Sequence, residues 1–168
     1  MDEQEKRQRI QLADQLEDEQ NFLLAVVSGS ISLIVCAFLW ALFSYASGYS
    51  YSFMAIIVGA VVGYTIKISG KGIKIKFGIL AGILTVATII LGTMLVGAID
   101  AAVYYDTTPW QAFFQQSFSD RMNEYLRYIN LVDFAFMIIG IGFSSKYAFR
   151  NLSKAEHSAL FTKQMYVG

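Results

Sequence analysis

The chain has little of the residue types on which most protein chemistry depends. Its 168 residues include one cysteine, Cys36, one histidine, His157, and one proline, Pro109. A single cysteine cannot form a disulfide within the chain, and one cysteine with one histidine cannot make a zinc site of the Cys/His type. No Ser-His-Asp, Cys-His or paired-carboxylate motif is present. We therefore expect no catalytic residues, no metal, no cofactor and no enzymatic activity.

Charge is also scarce. Charged residues make up 15% of the chain and hydrophobic residues 55%, whereas soluble domains carry about 25% charged residues. The formal net charge is zero, which gives no electrostatic support for direct binding of nucleic acid. This composition indicates a membrane protein.

The missing charges define long apolar runs. Residues 21–66 contain no charged residue or histidine. As one helix this run would be roughly 69 Å long, twice the ~30 Å core of a bilayer, so we predict a turn at Ser47–Ser50. Two further uncharged runs follow, and together they predict an all-α polytopic membrane protein with four transmembrane helices. The predicted spans are about 22–45, 51–68, 77–99 and 127–149.

The distribution of lysine and arginine predicts the orientation. Eleven of the 13 lie in the N-terminal tail, between spans two and three, or from the end of span four onwards. The opposite side has only Arg121 and Arg127. Because positive residues concentrate on the cytoplasmic side, we expect a bacterial inner-membrane protein with both termini in the cytoplasm. Residues 1–21 form a polar helix, 22–150 the membrane domain and 151–168 a C-terminal tail.

Capping signals predict helices outside the spans. Thr108 followed by Pro109 is typical of a helix start. The aromatic and apolar residues that follow recur at helical spacing, which predicts an extracytoplasmic amphipathic helix at about 108–126. Ser153 and Glu156 have the spacing of a capping box and predict a cytoplasmic helix from about 154 to 165.

Small residues at four-residue spacing indicate close helix contacts. Span two contains Gly59 and Gly63, and span three contains Gly78 and Gly82. Such residues let helix backbones approach closely in lipid. We expect span one to pack on span two and span two on span three. These rows of small residues, or glycine stripes, can contact either another helix of the same chain or a helix of a neighbouring copy. The protein is therefore also a candidate homo-oligomer.

The ionisable residues near the spans are the candidate functional sites. Asp133 lies within predicted span four and Asp100 at the end of span three, where two converging carboxylates would suit a cation or a proton. The alternative is a structural role for Asp133, as a hydrogen-bonding residue between helices. The lysines between spans two and three are candidates for contact with anionic lipid or a partner; they are Lys67, Lys71, Lys74 and Lys76.

Two segments resemble a poorly characterised group of small bacterial four-span membrane proteins. One is Ile66–Ile73 continuing into Phe77–Leu80, and the other is Asp133–Phe136 continuing to Lys146–Arg150. The resemblance implies a helical bundle in the inner membrane. It implies no chemical activity.

These patterns favour a non-enzymatic, oligomeric inner-membrane subunit or sensor. It would couple the membrane to a cytoplasmic protein partner, in a setting such as a bacterial stress or antiviral defence system. The alternative is an ion or proton channel with Asp133 and Asp100 in its pathway.

Overall fold

All of the regular structure in the described residues is helical. The computed structural model describes residues 2–47, 52–115 and 117–167, and within them it has eight helices and no strand. The helices are α1 (Glu3–Asp18), α2 (Phe22–Ser47), α3 (Met54–Gly70), α4 (Ile75–Tyr104), α5 (Pro109–Gln115), α6 (Phe118–Tyr128), α7 (Leu131–Tyr147) and α8 (Lys154–Val167). The all-α prediction is confirmed.

Four of these helices form a bundle. α2 packs against α3 and α4, and α7 packs against the same two helices. Val62, Ile66, Phe77 and Ala81 are completely buried at its centre. The outward faces of all four helices instead expose large apolar side chains, which include Leu39, Val61, Ile83 and Ile138.

Two helices, not the predicted four, are long and apolar enough to cross a membrane. They are α2, with 26 residues, and α4, with 30. α3 and α7 have 17 residues each, which gives a length of about 26 Å and falls short of the ~20 residues of a typical span. α7 also carries Asp133 in its first turn and Lys146 in its last.

Two predicted boundaries differ from the structure because of local capping. The span predicted at 127–149 begins only at Leu131, since Asn130 interrupts the helix and caps α7. α4 continues to Tyr104, beyond the predicted end at 99, because one Asp does not stop a helix. Of the turn predicted at 47–50, Ser47 is the last residue of α2, and residues 48–50 lie outside the described residues.

The segment predicted as one amphipathic helix at 108–126 is described as two, α5 and α6. Its start is confirmed: Gln111 N donates to Thr108 Oγ1, and Thr108 N donates to Gln111 Oε1. α5 packs on the end of α4. The second predicted cap is also present, because Ser153 and Glu156 each donate a backbone N–H to the other's side chain. These local bonds set where α5 and α8 begin.

The glycine stripes of α3 and α4 both face α7. A methyl group added at Gly59 would overlap the Gly140 carbonyl oxygen, and one at Gly63 would overlap the carbonyl of Ser144. On α4, Gly78 faces the Phe149 ring, which follows α7. α2–α3 and α3–α4 contacts exist as expected, but the closest backbone approach is made with the fourth bundle helix.

α1 and α8 form a separate two-helix unit. They pack against each other and, of the described helices, against no other. Ala13, Leu16 and Ala159 are buried between them. Arg9 donates to Ser158 Oγ, Lys163 pairs with Asp14 and Glu17, and Lys6 lies over the Tyr166 ring. Polar and aromatic contacts therefore join the two helices as well.

Candidate functional site: a charged junction between the tails and the bundle

Ion pairs join the two-helix unit to the bundle at one end. Glu19 pairs with Arg150 at 2.6 Å and with Lys71 at 3.5 Å. Glu17 pairs with Lys74 at 3.6 Å and with Lys163 at 3.0 Å. We call this cluster the charged junction. Its members are Asp14, Glu17, Glu19, Lys71, Lys74, Arg150, Glu156 and Lys163.

The charged junction has equal numbers of positive and negative groups. It includes residues from the α1–α2, α3–α4 and α7–α8 connections, which lie at the same end of the bundle. Four carboxylates face four cations. The acidic groups come from α1, from Glu19 directly after it, and from the start of α8. The cations come from the α3–α4 loop, the α7–α8 connection and α8 itself. A shift of any one of these segments therefore changes the ion pairs of the others.

Backbone hydrogen bonds hold the α3–α4 loop between the two tails. Asn21 N donates to the Gly70 carbonyl, and Ile73 N donates to Gln20 Oε1. On the other side Arg150 N donates to the Gly72 carbonyl. The loop thus contacts both the start of α2 and the end of α7 through its main chain.

Backbone conformation and packing restrict which residues can occupy two positions of the α3–α4 loop. Lys71 ends α3 in the left-handed region, with φ 47°, where a side chain is tolerated but disfavoured. Gly72 packs directly on the Phe77 ring, which a Cβ atom would overlap. Phe77 is itself completely buried, so the ring cannot easily move aside.

The ion pairs shift the ionisation of the acidic residues. A hydrogen bond from Arg150, then the charge of Lys71, lowers the pKa of Glu19. A hydrogen bond from Lys163 lowers the pKa of Glu17, and the backbone N–H of Ser153 lowers the pKa of Glu156. All three carboxylates are therefore charged at neutral pH.

Each of the four predicted lysines has a partner within the chain. Lys71 and Lys74 make the ion pairs described above and remain about half exposed. Lys67 Nζ donates to Asn151 Oδ1 at 3.0 Å. Lys76 Nζ lies 4.9 Å from the centre of the Phe22 ring. Their contact with lipid or a partner remains a prediction.

Asp133 lies at the other end of the bundle, in the first turn of α7. Its Oδ2 accepts from Asn130 N at 3.1 Å, while Asn130 Oδ1 accepts from Val132 N and Asp133 N. Its Oδ1 accepts from Ser52 Oγ. The half-buried carboxylate therefore closes a capping box, faces the positive end of the helix dipole and connects α7 to the residues before α3.

The structure does not bring Asp100 and Asp133 together. Gly82 of α4 lies opposite Ile141 of α7 in antiparallel register. Counting from this contact, the two carboxylates are separated by about ten residues of helix, on the order of 15 Å along the bundle. Asp100 is exposed on the far part of α4.

The sequence interpretation missed the acidic half of the junction. No pattern in the sequence assigned Glu17 or Glu19 to the lysines, and the cation Arg150 was placed only in the positively charged C-terminal tail. The signal was available: residues 17–19 are three consecutive acids, and the α3–α4 loop offers lysines of opposite charge. It also missed Ser52 as the partner of Asp133, which no sequence pattern indicates.

The junction joins groups of opposite charge near the surface, where each ion pair contributes little to stability. No known protein family, curated protein or solved structure was found to match this chain.

Proposed function

We propose that this protein is a non-enzymatic, oligomeric subunit or sensor of a bacterial inner membrane, which couples the membrane to a cytoplasmic protein partner. The observation that carries the proposal is the charged junction. It connects a separate two-helix unit to the α3–α4 loop and to the end of α7.

The membrane placement is supported by the surface of the bundle. α2 and α4 are long enough to cross a bilayer, and all four bundle helices expose large apolar side chains. Exposed apolar surface on this scale marks contact with lipid or protein. We propose that α3 and α7 cross with them, as short spans that a tilted or locally thinned bilayer accommodates.

The coupling proposal follows from how the two-helix unit is attached. Among the described residues, the backbones of α1 and α8 do not come close to those of the bundle helices, so we infer that the unit is attached through the junction and its connecting segments. A change in the relative position of α3 and α4 would move Lys71 and Lys74, and with them Glu17 and Glu19. A partner bound to the unit would then receive a signal from the bundle.

A photo-crosslinking experiment tests this coupling. A crosslinking amino acid replaces exposed Gln11 of α1 in intact bacteria. We expect the otherwise wild-type chain to capture a soluble protein and Glu19→Lys to lose this capture. Glu19→Lys with Arg150→Glu should recover part of it, because only the pair between positions 19 and 150 is restored. Asp18→Lys makes the same charge change one residue away, at a residue without an ion pair among those described, and should leave capture intact.

Two results would contradict the proposal. Equal capture by the wild-type chain and its three charge variants would mean that a partner binds but does not depend on the junction. If none of these proteins captures a partner, the proposed cytoplasmic partner is contradicted. The topology is tested separately, with reporter fusions. We expect fusions at Gly168 and near Lys71 to report cytoplasm and one near Gln115 to report the opposite side.

A further inference from the structure

Three ion pairs of the charged junction cross from the α1 side of the two-helix unit to the connections at the end of the bundle. Glu19 pairs with Arg150 and with Lys71, and Glu17 pairs with Lys74. We call them the crossing pairs. Their side chains are between 28% and 54% exposed, so water and dissolved ions reach all of them. Exposed pairs of this kind are individually weak and are screened by salt.

Two main-chain hydrogen bonds hold the points where the chain passes between the unit and the bundle. Asn21 N donates to the Gly70 carbonyl, and Arg150 N donates to the Gly72 carbonyl. Neither bond joins charged groups, so screening by salt acts on them far less than on the crossing pairs. Beyond these two points, the polar contacts of α1 and α8 with the bundle end all involve charged side chains among the described residues. Asn21 and Arg150 are therefore pivots, and the crossing pairs set the position of the unit relative to them.

The balance of charge sets the direction of the salt effect. Salt relieves repulsion where one sign is in excess, but the junction has four carboxylates facing four cations, so screening removes attraction. The Debye length falls from about 10 Å at 0.1 M to about 3 Å at 1 M ionic strength. The pairs of Glu19 with Lys71 and of Glu17 with Lys74 are 3.5 and 3.6 Å long. Within this range of salt, the screening distance therefore becomes as short as the pairs themselves.

The structures on either side of the junction depend less on charge. α1 and α8 bury Ala13, Leu16 and Ala159 between them, and α3 meets α7 through Gly59 and Gly63. Packing of apolar groups and of backbones is not screened by salt. Salt therefore acts first on the position of the two-helix unit, and much less on the unit or the bundle taken separately.

We propose that the charged junction is an ionic-strength switch. At low salt it holds the two-helix unit against the end of the bundle, and at high salt it lets the unit swing on the pivots at Asn21 and Arg150. The partner would then respond to the salt concentration of the cytoplasm. The response of a partner rests on the proposed function, whereas the release of the unit by salt does not.

Spin labels measure the release in the full chain. Cys36→Ala removes the only native thiol, and labelled cysteines replace exposed Gln11 of α1 and exposed Ile79 of α4. The protein is placed in phosphatidylcholine nanodiscs, whose headgroups carry no net charge. Between 0.1 and 1 M KCl we expect a second distance population to grow roughly three- to thirtyfold relative to the first, because three exposed pairs lose most of their attraction. Sucrose at equal osmolality should leave the distances unchanged.

Two charge variants assign the response to the junction. Glu19→Gln removes two of the three crossing pairs, so the second population should already be present at 0.1 M KCl and should change less with salt. Asp18→Asn is the matched control, because it removes the same charge one residue away, where the described structure shows no ion pair. Its response to KCl should equal that of the labelled chain with Asp18.

Three outcomes would overturn the inference. Distances that stay the same up to 1 M KCl would show that the ion pairs do not set the position of the unit. An equal response to sucrose would make the effect osmotic, and equal behaviour of Glu19→Gln and Asp18→Asn would assign it to the total charge of α1.

The same measurements separate this inference from the proposed function. Unchanged distances together with capture at Gln11 that still depends on Glu19 would overturn the switch and leave the coupling standing. Release by salt with no capture in any chain would support the switch and contradict the proposed partner.

Discussion

The α3–α7 contact lies within the bundle and the charged junction lies beyond the ends of those two helices, and the two are held together by different forces. Gly59 and Gly63 bring α3 against the backbone of α7 with no charge involved. At the junction, long side chains of opposite charge meet while partly exposed. Backbone packing tolerates almost no displacement, whereas exposed ion pairs are weak and screened by salt. We therefore expect the bundle to behave as a rigid body and the two-helix unit to separate from it when the ion pairs of the junction break.

The largest expected effect comes from breaking the rigid contact. Gly59→Leu should destabilise the bundle by on the order of 3 kcal/mol, because two backbones must separate to accept the side chain. Thermal unfolding in detergent measures this. Gly97→Leu is the matched control, since nothing lies within 4 Å of a Cβ atom built there. Equal melting of the two variants would show that the α3–α7 contact does not hold the bundle together.

A charge reversal at the junction should have a smaller and more local effect. Glu19→Lys replaces two attractions, to Arg150 and Lys71, by repulsions. We expect faster hydrogen exchange in α1 and α8, while exchange in α3 and α7 stays unchanged. Arg150→Glu in the same chain should restore part of the protection. Faster exchange throughout the bundle would mean that the two regions form one cooperative unit.

Acid should release the two-helix unit without unfolding the bundle. The pKa values of Glu17, Glu19 and Glu156 are lowered from 4.5, so their stabilisation is complete above about pH 4.5 and is lost as the pH falls through the lowered values. The pKa of Lys163 is raised from 10.5, mainly by a hydrogen bond to Asp14, so its contribution is lost only above that pH. Hydrogen exchange of α1 across a pH series, corrected for the intrinsic rate, checks this window. Release that begins near neutral pH would contradict it.

The smallest effect is expected at Asp133. Asp133→Asn can keep its carbonyl oxygen as the acceptor for Asn130 N while its amide NH2 donates to Ser52 Oγ, so the free energy of unfolding should change by less than ~1 kcal/mol. Asp133→Leu loses the hydrogen bonds to both Ser52 and Asn130 and should lower the free energy of unfolding more than Asp133→Asn does. The difference should still be small, because hydrogen bonds between membrane helices average only ~0.6 kcal/mol. Proton or cation flux in liposomes is measured on the same proteins. Specific wild-type flux that disappears in a stable Asn variant would replace the coupling proposal with an ion pathway.

Some of the candidate site was predictable from local sequence and some was not. The lysine loop and the helix that begins after Ser153 follow from charge and capping spacing, which involve residues within four positions of each other. The acidic partners of the lysines are more than 50 residues away in the chain, so no local pattern assigns them. The same limit applies to Asp133: the sequence showed an acid near a span, but not that Asn130 starts a new helix beside it.

The sequence by itself determined that the chain is helical and where α5 and α8 begin. Uncharged runs, Thr108 with Pro109, and Ser153 with Glu156 act through neighbouring residues, and these interactions are the same in any surroundings. Only the tertiary structure decided which faces meet. The stripes at Gly59 and Gly78 turn towards α7, which offers Gly140 and Ser144 at matching spacing, rather than towards each other. A small residue permits close approach to any helix, and the partner is selected by how all four helices fill space together.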